Sequence, residues 1–114
     1  MDADKVFREM VEDLTELQNI TEAKIQAVLA RDPSRLVALL QQEIDPMYRV
    51  NARTLDLQAL SPPQKDVLRA NITRWANREQ FLATLLEQSL GYIAFLREIL
   101  GIAREERPGL NLGL

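Results

Sequence analysis

Four carboxylates near the N-terminus, Glu9, Glu12, Asp13 and Glu16, are spaced to share one face of a helix. Such a set can hold a cation or a basic partner. It is also the ordinary make-up of a solvated face, and that is the expected role. A di-iron or di-manganese site in a helical protein needs Glu-x-x-His pairs, and the 114-residue chain contains no histidine. It also contains no cysteine. Imidazole bases, thiol nucleophiles, thiolate metal sites and disulfides are therefore excluded. Arg49 and Arg53 lie one turn apart, as do Arg74 and Arg78. Phosphate binding would require a basic stripe. Here the arginines alternate with acids, and the net charge is −3, so surface ion pairs are expected and nucleic acid is not. No glycine precedes Gly91, so a glycine-rich phosphate loop is absent from the first ninety residues. No enzyme activity, cofactor or metal is expected.

The elements that would position these residues are all helical. Punctuation comes from Pro33, Pro46, Pro62 and Pro63, and no run alternates Val, Ile, Thr or Tyr in the manner of a strand. The first helix is expected over residues 4–30, with Phe7, Met10, Val11, Leu14, Leu17, Thr21, Ile25, Val28 and Leu29 on one face. Asp32 and Pro33 form a cap and a first helical position. A second helix over 33–60 would bury Leu36, Val37, Leu40, Ile44, Met47 and Leu55. Pro46 lies inside it, which predicts a kink between residues 42 and 46 or two shorter helices. Ser61 with Gln64 reads as a capping box, with Pro62 opening a third helix that Gly101 stops.

That third helix, 62–100, carries the clearest pattern. Leu68, Ile72, Trp75, Glu79, Leu82, Leu86, Ser89, Ile93, Leu96 and Leu100 alternate steps of four and three, as in a coiled-coil seam. Glu79 is either a seam edge that reaches water or a buried polar group that fixes register. Gly91 is either tolerated within the helix or a notch for a partner. A second apolar stripe, Phe81, Leu85, Tyr92, Phe95 and Ile99, adjoins the seam. The expected architecture is all-α: a coiled-coil-like antiparallel bundle of three long helices, forming one domain over residues 1–101. The third helix, longer than its partners, would overhang them, and residues 102–114 would form a flexible tail. The adjoining stripe is either core or a groove for a partner helix. Leu110, Leu112 and Leu114 add an apolar tail.

The N-terminal ten residues lack a basic start and an apolar core, so no secretory signal is expected. No apolar run approaches the roughly 18 residues of a membrane span. A cytoplasmic location without membrane insertion is therefore the expectation.

Two stretches carry a family resemblance. They are ELQNITEAKIQAVLARDPSRLVALLQQE, residues 16–43, with its Asp-Pro break, and NREQFLATLLEQSLGYIAFLREILG, residues 77–101. Together they resemble the FlgN-type flagellar export chaperones, and the likeness extends from about residue 4 to residue 101. The resemblance implies a small, cytoplasmic, all-helical bacterial chaperone of the flagellar type III export system. Such a protein binds the C-terminal helices of hook-associated (hook–filament junction) proteins, prevents their premature assembly and brings them to the export gate. By the same resemblance Phe81, Leu85, Tyr92, Phe95 and Ile99 would face the substrate, and the chaperone alone would be a monomer or weak dimer. Family members usually carry a longer C-terminal extension with a tyrosine that contacts the gate. Here thirteen residues follow Gly101, none of them tyrosine, and Leu110, Leu112 and Leu114 would serve as a short sticky tail. The competing expectation is a homo-oligomeric helical adaptor or structural coiled coil without cargo. A chaperone for another flagellar subunit is a sister reading.

Overall fold

Side chains that accept backbone N–H groups open three of the four α-helices in the computed structural model, which describes residues 2–88. The elements are α1 (Ala3–Leu29), α2 (Pro33–Gln42), α3 (Ile44–Ala52), a 3-10 helix (Leu55–Ala59) and α4 (Pro62–Gln88). The described residues contain no strand, so the all-α class holds for them. Asp2 caps α1 by accepting from the Asp4 N–H at 3.0 Å. Asp32 caps α2 by accepting from the Arg35 N–H at 3.1 Å, with Pro33 at the first helical position. At α4 the Ser61 hydroxyl accepts from the Gln64 N–H at 3.3 Å, and Gln64 Oε1 accepts from the Ser61 N–H at 3.0 Å. This reciprocal pair is the capping box that the sequence announces.

Helix α1 ends without glycine. The Asp32 N–H donates to the Ala27 carbonyl at 2.9 Å and the Arg31 N–H to Val28 at 3.1 Å. This is the Schellman pattern, which needs a left-handed residue between helix and exit. Arg31 fills that place with φ of 54°.

The second leg of the fold differs from one long kinked helix. It is broken at Glu43 into α2 and α3, and a 3-10 helix follows. Pro46 is the third residue of α3, within the first turn, where a backbone N–H has no intrahelical acceptor to lose. The break therefore falls just ahead of the proline. The buried face also differs from the expected one. Leu36, Leu39, Glu43, Pro46 and Met47 are buried, whereas Ile44 and Leu55 are exposed. The true face is shifted by one residue because Glu43, not Ile44, points inward. On α1, Leu29 is likewise exposed, because Ala27 and Val28 form the inward face of the last turn.

The core forms two apolar clusters. One contains Val6, Met10, Leu14 and Leu17 of α1 with Met47, Leu60, Leu68 and Trp75. The other contains Ile20, Ile25, Ala27 and Val28 with Leu36, Leu39 and Leu82. Helix α1 contributes to both and contacts every other element. Polar pairs show the direction of each leg. Asp4–Gln64, Gln18–Asn71 and Glu22–Arg78 ascend both helices together, so α4 runs with α1. Lys24–Glu43, Asp13–Arg49 and Glu9–Arg53 descend α1 as they ascend α3, so α3 runs against it.

Holding arginine in the left-handed region costs about 1–2 kcal/mol, part of which glycine loses again through its freer unfolded chain. Arg31→Gly should therefore stabilise the protein by about 0.5–1 kcal/mol in urea denaturation. A neutral or destabilising result would show that the Arg31 side chain makes a compensating contribution.

Candidate functional site

Between the two apolar clusters lies a layer of polar side chains from three elements. Thr21 and Lys24 come from α1, Glu43 from the α2–α3 break, and Glu79 from α4. The Lys24 side chain is 2% exposed, and its Nζ lies 2.6 Å from Glu43 Oε2 and 3.0 Å from Glu79 Oε2. The Glu43 side chain is 4% exposed and that of Glu79 is 34% exposed. Trp75 Nε1–H donates to Thr21 Oγ1 at 3.0 Å. The single Thr21 hydroxyl proton is divided between the Leu17 carbonyl at 3.0 Å and Glu79 Oε2 at 2.9 Å. The layer thus links tryptophan, hydroxyl, two carboxylates and one ammonium. Glu79 satisfies both readings of its position: it is engaged by buried partners and it also reaches water.

Lys24 was not among the residues singled out from the sequence, although a signal was present. Met10, Leu14, Leu17, Thr21, Lys24 and Val28 alternate steps of four and three, as the α4 seam does. Two polar positions interrupt that seam, and Glu79 interrupts the facing one. Facing polar positions of opposite charge on two seams predict a buried pair.

A second set of ion pairs ties α1 to α3. Arg53 pairs with Asp13 and, at 3.1 Å, with Glu9. Arg49 pairs with Asp13 at 3.0 Å and with Glu16 at 3.4 Å. The carboxylate face of α1 is thus only partly a solvated face. Asp13 is buried beneath two guanidinium groups, and the arginines serve as ion pairs. On the α4 side, Arg78 grips Glu22 with two N–H groups at 2.6 and 2.9 Å. That hydrogen bonding, assisted by the Arg78 charge and opposed by slight desolvation, holds the Glu22 carboxyl below the ordinary value of 4.5. The Arg78 guanidinium also lies 4.7 Å from the centre of the Phe81 ring. Among the described residues no cluster of acidic side chains is arranged to hold a metal ion.

The expected partner stripe is only partly within the described residues. Phe81 is 42% exposed and Leu85 packs against the Ile20–Leu82 cluster, so the two differ in environment. Tyr92, Phe95, Ile99, Leu110, Leu112 and Leu114, and the seam positions from Ser89 onward, lie outside the described residues. Ile44 and Tyr48 on α3 and Leu55 on the 3-10 helix are further exposed apolar side chains. No described helix is long and apolar enough to cross a membrane. No protein-family model, curated protein or solved structure matches the chain.

Lys24→Met leaves Glu43 buried without its ammonium, and the variant should lose about 3–5 kcal/mol of stability. Lys24→Met combined with Glu43→Leu should recover to within about 1 kcal/mol of the wild type, because an apolar pair of similar volume replaces the ions. Urea denaturation checks both; equal losses in the single and double variants would refute the coupling.

A carboxyl with a lowered folded-state pKa contributes stability above its unfolded pKa and loses it as pH falls through the folded value. In wild-type protein the Glu22 carboxyl should titrate below 4.5 by NMR. In Arg78→Leu its midpoint should rise towards that ordinary value. An unchanged midpoint would remove Arg78 as the cause.

Proposed function

We propose that this chain is a cytoplasmic export chaperone of the FlgN type, which covers the C-terminal helices of hook-associated proteins and brings them to the flagellar type III export gate. One observation supports the reading above the rest. The two stretches that carry the resemblance, 16–43 and 77–88 as far as described, pack on one another. Ile20, Ile25, Val28, Leu36 and Leu39 from the first meet Leu82, Leu85 and Leu86 from the second, with Phe81 exposed nearby. The residues of the likeness therefore form one structural unit rather than two unrelated helical repeats. The proposal includes the finer architecture: an antiparallel bundle in which the leg expected to reach Leu100 overhangs its neighbours and presents Tyr92, Phe95 and Ile99 to cargo. The physical reason is simple. An assembly subunit with an amphipathic terminal helix polymerises or aggregates unless a lent apolar groove covers that helix.

Titration calorimetry against the C-terminal helical segments of the hook–filament junction proteins of the same cell tests this reading, after light scattering has fixed the free oligomeric state. One-to-one binding at about 1 μM or tighter, with a negative heat-capacity change, is expected. The Tyr92→Ala/Phe95→Ala double variant should keep its helicity and lose at least about tenfold in affinity, or about 1.4 kcal/mol. Full affinity in that variant would overturn the assignment of the groove. A stable oligomer that binds none of the segments would favour the homo-oligomeric adaptor.

A further inference from the structure

We propose that the groove between α1 and α4 around Arg74 is a docking site for an acidic amphipathic helix of a partner protein. The proposal does not rest on the chaperone reading, since it concerns Arg74 and the described part of α4, although Phe81 belongs to both surfaces. The groove has a volume of about 470 Å³ and is lined by Gln18, Asn19, Glu22, Arg74, Asn77 and Arg78. Its polar groups fall into two sets. Arg78 and Glu22 neutralise one another through their paired hydrogen bonds. Arg74 has no carboxylate partner among the described residues; its hydrogen bond goes from Nη2 to Asn71 Oδ1 at 2.8 Å.

That one bond pins the guanidinium in place. Asn71 is buried, its Nδ2 donates to the Val67 carbonyl at 3.0 Å, and its Oδ1 also accepts from Gln18 Nε2 at 3.1 Å. The amide is thus fixed at both ends and presents a set oxygen to Arg74. An arginine has five N–H donors in a rigid fork, so most of them stay free for a ligand. Holding the fork before binding lowers the entropy lost on capturing a carboxylate. Asn19 and Asn77 are exposed and add neutral amide groups that tolerate a polar partner.

Charge complementarity identifies the occupant. The chain carries net charge −3, yet Arg74, Arg78 and Glu22 give this groove one net positive charge. An acidic segment is attracted here by the Arg74 charge, whereas Glu9, Asp13 and Glu16 of α1 already pair with Arg49 and Arg53. Phe81 supplies the apolar half of the surface. Its ring is exposed, held by the Arg78 guanidinium, and lies seven residues from Arg74 along the same helix. Two helical turns separate them, about 10 Å along the axis. The matching ligand is a helix with a glutamate and a leucine or phenylalanine about two turns apart.

The test uses the full chain and two synthetic amphipathic helices of about 18 residues, roughly five turns each. One carries glutamates spaced seven residues from leucines, and the other has glutamine in place of every glutamate. Fluorescence anisotropy at low ionic strength should show the acidic peptide binding at least about tenfold more tightly than the glutamine peptide. Arg74→Glu should weaken the acidic peptide by at least about tenfold, and Arg74→Lys, which keeps the charge and loses the fork, by a smaller factor. Arg69→Glu removes a cation paired with Asp66, outside the groove, and should change affinity by less than about twofold. Circular dichroism confirms that each variant stays folded. Failure of the acidic peptide to bind overturns the proposal, as does equal binding of the two peptides or of the wild type and Arg74→Glu. Self-association in light scattering that Arg74→Glu abolishes would make a second copy of the chain the occupant and overturn the partner assigned here.

Discussion

A single buried ammonium constrains the structure more than any apolar contact does. An isolated charge in a protein interior is heavily penalised, so the Lys24 Nζ must find acceptors or the fold does not form. It finds Glu43 and Glu79, which belong to the other two legs of the fold. Apolar seams tolerate slippage, because one leucine packs much like the next. An ion pair at a seam position does not tolerate it, and one polar layer can fix the register of a helical assembly. The layer lies between the two apolar clusters, where a slip of one turn on any leg would bring leucine against lysine. Lys24 Nζ meets two carboxylates that differ in environment. Glu79 is partly in water while Glu43 is not.

The Asp13–Arg49–Arg53 set ties α1 to α3 by weaker means. These arginines are partly exposed, and pairs in water contribute little individually. Their value lies in position. They sit toward the N-terminal end of α1, away from the Lys24 layer, and so oppose splaying of α3 where the chain turns into the 3-10 helix. The two sets together explain why a leg broken at Glu43 and interrupted again before Leu55 still follows α1 along its length.

The helix starts and the all-α class were legible because each rests on local chemistry. Ser61, Gln64 and Pro62 interact within four residues, as do Asp32 and Pro33, and the sequence contains the whole interaction. The face of the second leg was not legible by hydrophobicity alone. Choosing Ile44 over Glu43 is the natural preference residue by residue, and it rotates the helix by one position. What reverses it is Lys24, nineteen residues earlier in the chain and therefore invisible to a local reading. The end of α1 was hidden for a related reason. Arg31 adopts a conformation that glycine would advertise, with the backbone hydrogen bonds to Ala27 and Val28 closing the turn around it. Of the candidate partner surface, Phe81 could be read as outward-facing from the seam, whereas the inward packing of Leu85 depends on the cluster built by α1 and α2 together and needed the structure.

The polar layer also determines which side of α4 remains open. Seven large apolar side chains lie on this helix among the described residues from Leu68 to Leu86, and Leu68, Trp75 and Leu82 are the buried ones. Turning α4 about its axis by one residue, roughly 100°, would carry Phe81 toward α1 but would also put Arg74 in the place of the buried Trp75. The same turn would carry Glu79 out to solvent and leave Lys24 with one carboxylate, and it would break the Trp75–Thr21 hydrogen bond. The buried ions therefore act together with Trp75 against this alternative packing. They keep Phe81 and the pinned Arg74 guanidinium at the surface, so the outward chemistry of α4 is set by a choice made in the core.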